Sequence, residues 1–344
     1  MQDLVSLREI LRTPKKIVIT THAKPDADAL GSSLAMWAYL KKKGHDPKVI
    51  TPTDYPTFLN WMNGNDEVIV YEENVELATK LVKEAEVIFC LDFSALGRIN
   101  EMGELVKNAT ATKVLIDHHL EPEYFADFVF WDIKAAATAV LIYKLIIGLG
   151  DREYLDTCIG ECIYAGIMTD TGSFRHPSTN KEVHMIIAEL LNLAVDVSRI
   201  HRLIYDNNSE SKLRFLGFAL LKKLVVERDL YAAYIAISEE DLKRFESQTG
   251  DTEGLVNYAL SIDGVVIAAV IIERPDSVKL SFRSKGDFSV NEFARRHFEG
   301  GGHLNAAGGK SNLNLEDTVN KFIEVLPAYK EQLYQNYKLE KSLC

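Results

Sequence analysis

The sequence has few cysteines, no segment typical of export and no apolar run long enough to cross a membrane. Its 344 residues include four cysteines, and only Cys158 and Cys162 lie near each other, without further cysteine or histidine neighbours. This spacing favours packed free thiols over a metal or redox site. The apolar stretch 135–150 contains Lys144 and is too short to span a bilayer. We therefore predict a protein of the reducing cytoplasm with no membrane partner.

The chain also lacks an excess of positive charge. It carries 39 lysines and arginines against 50 aspartates and glutamates, a net charge of -11. Proteins that hold long nucleic acids through their phosphates usually present a basic face. This balance disfavours binding to long duplexes, whereas a short, charged substrate held by metal ions stays compatible with it.

The order of predicted elements indicates two domains, as does the length. Strands alternate with helices in the first half, beginning with the apolar strand at 15–22, and this alternation predicts an α/β fold with a parallel, doubly wound sheet. The pattern is mainly helical from about 135 to 222, and the polar stretch 205–211 is a candidate hinge. We predict a first domain over residues 1–195, a helical linker over 196–212, and a smaller α/β domain with a mixed sheet over 213–344.

Histidines and aspartates gather at the carboxyl ends of apolar segments. One group follows the first strand, a second follows the run 86–91, a third follows the run 112–116, and the last ends an apolar helix. The carboxyl ends of parallel strands meet at one crevice of a doubly wound sheet, so we expect these groups to converge. The candidate site residues are His22, Asp26, Asp28, Asp92, Asp117, His118, His119 and Asp170.

Each of these residues has a simpler explanation when it is taken alone. An aspartate after a strand is usually a turn residue or a helix N-cap, and Asp28 could cap a helix that begins near Ala29. His22 could be a satisfied polar residue at a domain edge. The joint pattern of several such residues near position 25, a DHH triplet and two further aspartates favours a functional site.

The charge of the cluster predicts metal binding. Its members supply several carboxylates and imidazoles, and carboxylates at close range repel one another unless cations are present. Two divalent ions would balance the charge. Mixed imidazole and carboxylate ligands favour Mn²⁺, with Mg²⁺, Co²⁺ or Fe²⁺ as alternatives. Two ions about 3.5–4 Å apart form a common clamp for displacement at phosphorus.

The motifs THAKPDADALGSS, LDFS, LIDHH and GIMTDTGSF resemble the successive motifs of the DHH phosphoesterase superfamily. This superfamily includes RecJ exonucleases, manganese-dependent inorganic pyrophosphatases and the small NrnA-type enzymes. The resemblance implies two metal sites that share the catalytic Asp92. The implied ligands are His22, Asp26 and Asp92 for one ion, and Asp28, Asp92, His118 and Asp170 for the other. The resemblance also implies that His119 faces the substrate phosphate as a catalytic residue and that Asp117 supports a metal-bound histidine.

A second signal lies in the segment 281–309, which contains a strand ending near Arg283 and the glycine-rich loop GGGH. Backbone N–H groups of such loops approach phosphate closely, and an arginine offers a planar fork to phosphate oxygens. A plain loop beside a solvated basic helix would also give this pattern. The segment resembles the DHHA1 domain, which implies substrate contacts from Arg283, Ser284, His303 and Asn305, with Gly301 and Gly302 shaping the loop.

Together the resemblances imply an NrnA-type enzyme that hydrolyses short RNA and dinucleotides such as pApA. They also imply removal of the 3′-phosphate from adenosine 3′,5′-bisphosphate (pAp). Two alternatives stay open, a manganese-dependent inorganic pyrophosphatase and a nucleotide-binding regulator without turnover. A homodimer is suggested by the resemblance alone.

Overall fold

The structure is a computed structural model that describes residues 4–342. The outermost residues of the two predicted domains, 1–3 and 343–344, lie outside this description, and Cys344 is one of them. The chain divides into two compact units, Met1–Asn207 and Asn208–Cys344. The division falls within the segment 196–212, for which the sequence predicts a linker.

The first unit is built on a parallel sheet with β1 (Lys16–Thr21), β2 (Asp46–Thr51), β3 (Ile69–Val70), β4 (Val87–Leu91), β5 (Thr112–Asp117) and β6 (Phe128–Trp131). Among the described residues these strands are ordered β3-β2-β1-β4-β5-β6, and each neighbouring pair is parallel. The chain first proceeds outward from β1 and then returns to β4 on the other side. The switch point between β1 and β4 is where a doubly wound sheet forms its crevice.

Helices cover both faces of this sheet, which is why its central strands are continuous apolar runs rather than alternating ones. In chain order the helices are α1 (Leu4–Ile10), α2 (Ala27–Lys42), α3 (Val75–Glu84), α4 (Met102–Lys107), α5 (Thr138–Gly148), α6 (Thr157–Asp170), α7 (Lys181–Asn192) and α8 (Val197–Tyr205). Helix α2 is buried along its whole length from Ala27 to Leu40 and packs against α6.

Two glycines allow this close packing. A Cβ atom on Gly31 would lie 2.6 Å from the carbonyl oxygen of Cys162, and one on Gly166 would lie 2.6 Å from Oδ1 of Asp28. Such distances are far below ordinary van der Waals contact, so a larger residue at either position would push the helices apart. The glycines therefore set how near the end of α6 comes to the start of α2.

The second unit contains β7 (Leu224–Glu227), β8 (Ala232–Ile237), β9 (Ile267–Arg274), β10 (Ser277–Ser284), β11 (Gly301–Gly302) and β12 (Ala306–Ser311). Its helices are α9 (Glu210–Phe218), α10 (Glu239–Arg244), α11 (Leu255–Leu260), α12 (Val290–His297), α13 (Leu315–Val325) and α14 (Lys330–Ser342). In the described part of the unit the strand order is β11-β12-β10-β9-β8-β7, with β8 and β9 parallel and the other pairs antiparallel. A core rich in phenylalanine, including Phe282 and Phe293, lies beneath it.

The predicted fold class is therefore confirmed: a parallel α/β unit is followed by a smaller unit with a mixed sheet. Three cysteines, Cys90, Cys158 and Cys162, are free thiols. Over residues 4–342 there is no helix with the length and hydropathy that a membrane span needs.

Candidate metal centre

The loop from β1 into α2 carries the first three candidate residues. Asp26 is the N-cap of α2, since its Oδ1 accepts hydrogen bonds of 3.0 Å from the backbone N–H groups of Asp28 and Ala29. The capping residue is thus Asp26, and Asp28 lies fully buried in the first turn. A carboxylate oxygen has two lone pairs, so the cap bonds leave Oδ2 of Asp26 for a cation.

Asp28 is held by the amino end of α5. Its Oδ2 accepts a 2.6 Å hydrogen bond from the backbone N–H of Thr138, and its Oδ1 accepts one of 2.9 Å from Ala139. The hydroxyl of Ser32 donates to the same Oδ1 over 3.3 Å. These bonds leave a lone pair on Oδ2, and this oxygen lies 3.8 Å from Nε2 of His118.

Asp92 follows β4 and has a φ of 65°, a left-handed conformation that is unfavourable for a residue with a side chain. Its backbone N–H donates to Ile116 O over 3.0 Å, and its Oδ1 accepts a 2.7 Å bond from the hydroxyl of Thr138. Oδ2 lies 3.5 Å from Nε2 of His22, and Oδ1 lies 3.5 Å from Nε2 of His118. The turn at Asp92 thus places one carboxylate between two histidines.

His22 and His118 both direct Nε2 toward the aspartates. Nδ1 of His22 lies 2.9 Å from the carbonyl oxygen of Ala23, and Nδ1 of His118 lies 3.1 Å from that of Ala135. A carbonyl oxygen only accepts hydrogen bonds, so each Nδ1 carries a proton, and in the neutral ring Nε2 is the atom with a lone pair to offer. Histidines that bind metals are usually oriented by such a bond on the other ring nitrogen.

His119 is supported differently from its neighbour. Its Nδ1 lies 2.8 Å from Oδ1 of the fully buried Asp117. The side chain of His119 retains 15% exposure, so a substrate can reach it. Asp117 therefore orients His119, whereas the carbonyl of Ala135 orients His118.

All eight candidate residues from the first unit come together. Seven of them form three groups within the first unit; in each group one ligand atom per residue lies within 4.8 Å of the others, and Asp92 belongs to all three. The groups are His22 with Asp26 and Asp92, Asp28 with Asp92 and His118, and Asp92 with Asp117 and His119. Asp170, the last residue of α6, adds its Oδ2 at 3.3 Å from Nε2 of His118.

The pKa values of two of the aspartates, Asp26 and Asp28, are raised. Burial raises the pKa of Asp28, and the negative charges of Asp92 and Asp170 raise it further, so it lies well above the usual range. Burial is also the main cause that raises the pKa of Asp26. Both shifts mean that, without cations, these carboxylates are less stable as anions than they are in water.

Contacts between histidines and aspartates favour the charged forms of His118 and Asp92. Burial would lower the pKa of His118, but its hydrogen bond to Asp170 and the nearby negative charges raise it well above the usual range. Burial would raise the pKa of Asp92, but the hydrogen bond to His22 and the surrounding histidine charges lower it. The cluster therefore favours added positive charge.

These residues fit a site for divalent cations. The Nε2 lone pairs of His22 and His118 and the remaining carboxylate lone pairs supply the mixed nitrogen and oxygen ligands that Mn²⁺, Fe²⁺, Co²⁺ or Zn²⁺ accept. The raised pKa of Asp28 and of His118 is the response expected of a buried cluster with more carboxylates than cations.

In the second unit, Arg283 lies near the end of β10, and its Nη1 donates to the carbonyl oxygen of Phe282 over 3.0 Å. The buried hydroxyl of Ser284 donates to Phe288 O over 2.6 Å and accepts a 3.0 Å bond from Nδ2 of Asn305. Ser284 and Asn305 therefore already form bonds inside the unit.

The glycine-rich loop forms the short strand β11 and its turn into β12. A Cβ atom on Gly302 would lie 2.4 Å from Ala306 O, whereas one on Gly301 would lie 3.3 Å from Oδ1 of Asn291. The backbone N–H of His303 donates to Ala306 O over 2.7 Å, which closes the turn. Gly302 is required by the hairpin itself, and Gly301 is not.

Sequence reasoning missed two buried polar residues. Thr138 contacts both Asp28 and Asp92, but it stands in the apolar run AAATAV and gives no motif signal. Asn291 accepts bonds from the N–H of Gly302 (2.9 Å) and from Nε of Arg295 (3.3 Å).

The fold and the site define an α/β protein whose sheet gathers, at its switch point, buried histidines and aspartates that could hold metal ions. The family model described as "DHH family, N-terminal domain" matches residues 16–167, and the model described as "DHHA1 domain" matches residues 231–331. The chain belongs to the DHH family, with a DHHA1 domain in its second half.

The chain is similar to two NrnA proteins and to one solved structure over most of its length. A bifunctional oligoribonuclease and PAP phosphatase NrnA from Thermus thermophilus is 31% identical over 318 residues, covering 92% of this chain and 90% of the relative. A probable enzyme of the same name from Streptococcus mutans is 28% identical, covering 86% and 89%. The crystal structure of an exopolyphosphatase-related protein from Bacteroides fragilis is 39% identical, with a TM-score of 0.91 and coverage of 96% and 97%.

Proposed function

We propose that this protein is a metal-dependent hydrolase that cleaves short oligoribonucleotides and dinucleotides to mononucleotides and removes the 3′-phosphate of pAp. One observation carries the proposal: ligand atoms of Asp92 lie within 4.8 Å of those of His22 and Asp26 in one group and of those of Asp28 and His118 in another. This arrangement suits two cations that share one carboxylate. The substrate class rests on the NrnA relatives from Thermus thermophilus and Streptococcus mutans.

The proposed cofactor is a pair of divalent ions. Mn²⁺ is the preferred ion, and Mg²⁺, Co²⁺ and Fe²⁺ are the alternatives. His22, Asp26 and Asp92 would hold one ion, and Asp28, Asp92, His118 and Asp170 would hold the other. When bound, such ions supply Lewis acidity, which makes water a better nucleophile and offsets the charge of the phosphate.

The remaining chemistry belongs to the side chains of the chain. Hydrolysis forms a bond between the oxygen of water and phosphorus and breaks the bond from phosphorus to the ribose oxygen, which takes up a proton. Asp117 holds Nδ1 of His119, so its Nε2 would be the ring atom that meets the substrate. A proton on Nε2 would stabilise the negative charge that develops on the phosphate oxygens in the transition state.

We assign substrate binding in the second unit to Arg283, Gly301, Gly302, His303, Ser284 and Asn305. The Arg283 guanidinium would pair with phosphate oxygens, and the Gly301 and Gly302 backbone would approach the substrate closely. Because Ser284 and Asn305 hydrogen bond to each other, they would act chiefly by fixing the shape of the segment.

We also propose a cytoplasmic location, to which the free thiols of Cys90, Cys158 and Cys162 are suited. The net charge of -11 supports a short substrate rather than a long duplex. A homodimer and the absence of a membrane partner complete this proposal.

An activity screen tests the function. The purified full chain is incubated with pAp, pApA, a five-nucleotide RNA, a long single strand or pyrophosphate, with Mn²⁺ and Mg²⁺ in separate reactions. We expect turnover of the first three substrates and loss of that turnover in Asp92→Ala. Preferred hydrolysis of pyrophosphate would support a pyrophosphatase instead, and nucleotide binding without any turnover would support a regulator.

A further inference from the structure

The amino end of α5 binds two acidic residues of the centre at once. The backbone N–H of Thr138 donates to Oδ2 of Asp28 over 2.6 Å, and the hydroxyl of the same residue donates to Oδ1 of Asp92 over 2.7 Å. We propose that Thr138 is a positioning residue that fixes the carboxylates of Asp28 and Asp92 in the geometry required for metal binding. This inference rests on the proposed function.

The two carboxylates come from separate parts of the chain, so covalent structure does not fix their relative orientation. Asp28 stands in the first turn of α2, and Asp92 follows β4. Thr138 is fully buried and begins α5, so its backbone belongs to a helix and its side chain is enclosed by neighbouring groups. One residue thereby connects two elements that would otherwise place their carboxylates independently.

The two bonds also determine which lone pairs remain. The backbone N–H of Thr138 donates to Oδ2 of Asp28, and that of Ala139 donates to Oδ1. The Asp28 carboxylate therefore cannot rotate without losing a hydrogen bond. With the Thr138 hydroxyl on Oδ1 of Asp92, the plane of the second carboxylate is set as well. The free lone pairs of both groups therefore have defined directions before any cation arrives.

The position of Thr138 also offsets repulsion. Two buried carboxylates that face each other repel, and the N–H groups at the start of a helix carry partial positive charge. The helix start supplies two such groups to Asp28, and the hydroxyl supplies a further donor to Asp92. The pair of acids is thus held together in a protein without metal, and Thr138 is the residue that serves both.

A threonine at the start of a helix often has a purely local role, but this one does not. The N-cap of α5 is Ala137, which has no side-chain cap bond, and the Thr138 hydroxyl donates to Asp92 rather than to the backbone of its own helix. Removing the hydroxyl should therefore change the metal centre more than it changes α5.

The variants Thr138→Val and Thr138→Ser separate these roles. Valine keeps the shape and the backbone N–H but removes the hydroxyl, whereas serine keeps both donors. Thr318→Val is the matched control, since Thr318 is also fully buried but donates its hydroxyl to Ser311 in the second unit. Each full-length protein is stripped with a chelator and titrated with Mn²⁺ in a calorimeter, and its thermal unfolding is recorded.

We expect Thr138→Val to bind Mn²⁺ about 10- to 100-fold more weakly, as is typical when a partner of a metal ligand is removed. Thr138→Ser and Thr318→Val should bind as the unsubstituted chain does. Wild-type affinity in a folded Thr138→Val would overturn the inference. If that variant does not fold, Thr138→Ala replaces it, and if neither folds, Thr138 maintains the fold and the inference fails. Absence of Mn²⁺ binding by the unsubstituted chain would instead contradict the proposed function.

Discussion

Nδ1 of His119 lies 2.8 Å from Oδ1 of Asp117, while the adjacent His118 has its Nδ1 on a backbone carbonyl. Two consecutive histidines are therefore oriented by different partners. Both partners fix the orientation of a ring through Nδ1, but only Asp117 also places a carboxylate beside its histidine. The distinction fits His118 as a ligand and His119 as a residue that meets the substrate phosphate.

We expect Asp117→Asn to reduce kcat on pAp by about 10- to 100-fold, because an amide can present its NH2 group to Nδ1 and no longer fixes one tautomer of His119. Steady-state kinetics measured with saturating Mn²⁺ test this effect. Mn²⁺ affinity should change little. Asp127→Asn is the control, since the Asp127 carboxylate accepts its 2.8 Å bond from the backbone N–H of Lys113 and not from a histidine. Equal kcat in the two variants would show that Asp117 does not act through His119.

We expect Asp92→Ala and Asp92→Gly to lose activity alike but to differ in stability. Position 92 has a φ of 65°, which glycine adopts freely and alanine does not. In the protein without metal, the glycine variant should be more stable than the alanine variant by about 1 kcal/mol. Urea unfolding measures this difference. Equal stability would mean that the backbone relaxes when the carboxylate is removed.

Adjacent glycines of the GGGH loop should respond differently to alanine. Gly302→Ala forces a contact of 2.4 Å with Ala306 O and should destabilise the second unit, by about 1–3 kcal/mol for overpacking of this kind. Gly301→Ala requires only a small shift of Asn291 and should fold normally. If the Gly301 backbone meets the substrate, this variant should raise KM for pAp with little change in the melting temperature. An unchanged KM in Gly301→Ala would remove this glycine from the proposed binding segment.

His45 should make folding sensitive to mild acid. It is buried, its Nδ1 accepts a 3.2 Å bond from the backbone N–H of Lys15, and burial together with the charge of Lys43 lowers its pKa. Because the unfolded chain takes up the proton more readily, the stabilising contribution is present above about pH 6.5 and is lost as pH falls through the lower pKa of the folded state.

The variant His45→Asn keeps an acceptor for Lys15 but cannot titrate. We expect its urea midpoint to fall less steeply than that of the unsubstituted chain between pH 7 and pH 5. Other titrating groups are common to both proteins, so the difference between the two curves isolates His45. Parallel curves would contradict the prediction.

Several site residues could be predicted from the sequence because they follow the ends of apolar strands. His22 and Asp92 come directly after β1 and after β4, and the parallel sheet brings those two ends together. The chemistry of the cluster, with more acids than bases, then indicates cations. Long, apolar elements and the residues at their ends are thus accessible to pattern reasoning.

Other features depend on packing that no local pattern reveals. Thr138 reaches Asp28 because α5 begins beside α2, and that contact joins residues 110 positions apart. The edge strand β6 was not predicted either, since it has four residues and only Phe130 of them is buried. An aspartate at position 26 or at position 28 could cap α2, and the local backbone path makes Asp26 the capping residue.

Asp26 has a consequence for how such an enzyme can lose its activity by mutation. Its carboxylate holds the start of α2 as well as pointing into the metal centre, so losing it removes a helix cap that contributes about 1 kcal/mol. Asp170 ends α6, where a negative charge is unfavourable to the helix dipole. In gene copies that are no longer selected for catalysis, Asp170 should therefore be replaced sooner than Asp26. A family member without activity would still keep the aspartate that caps α2.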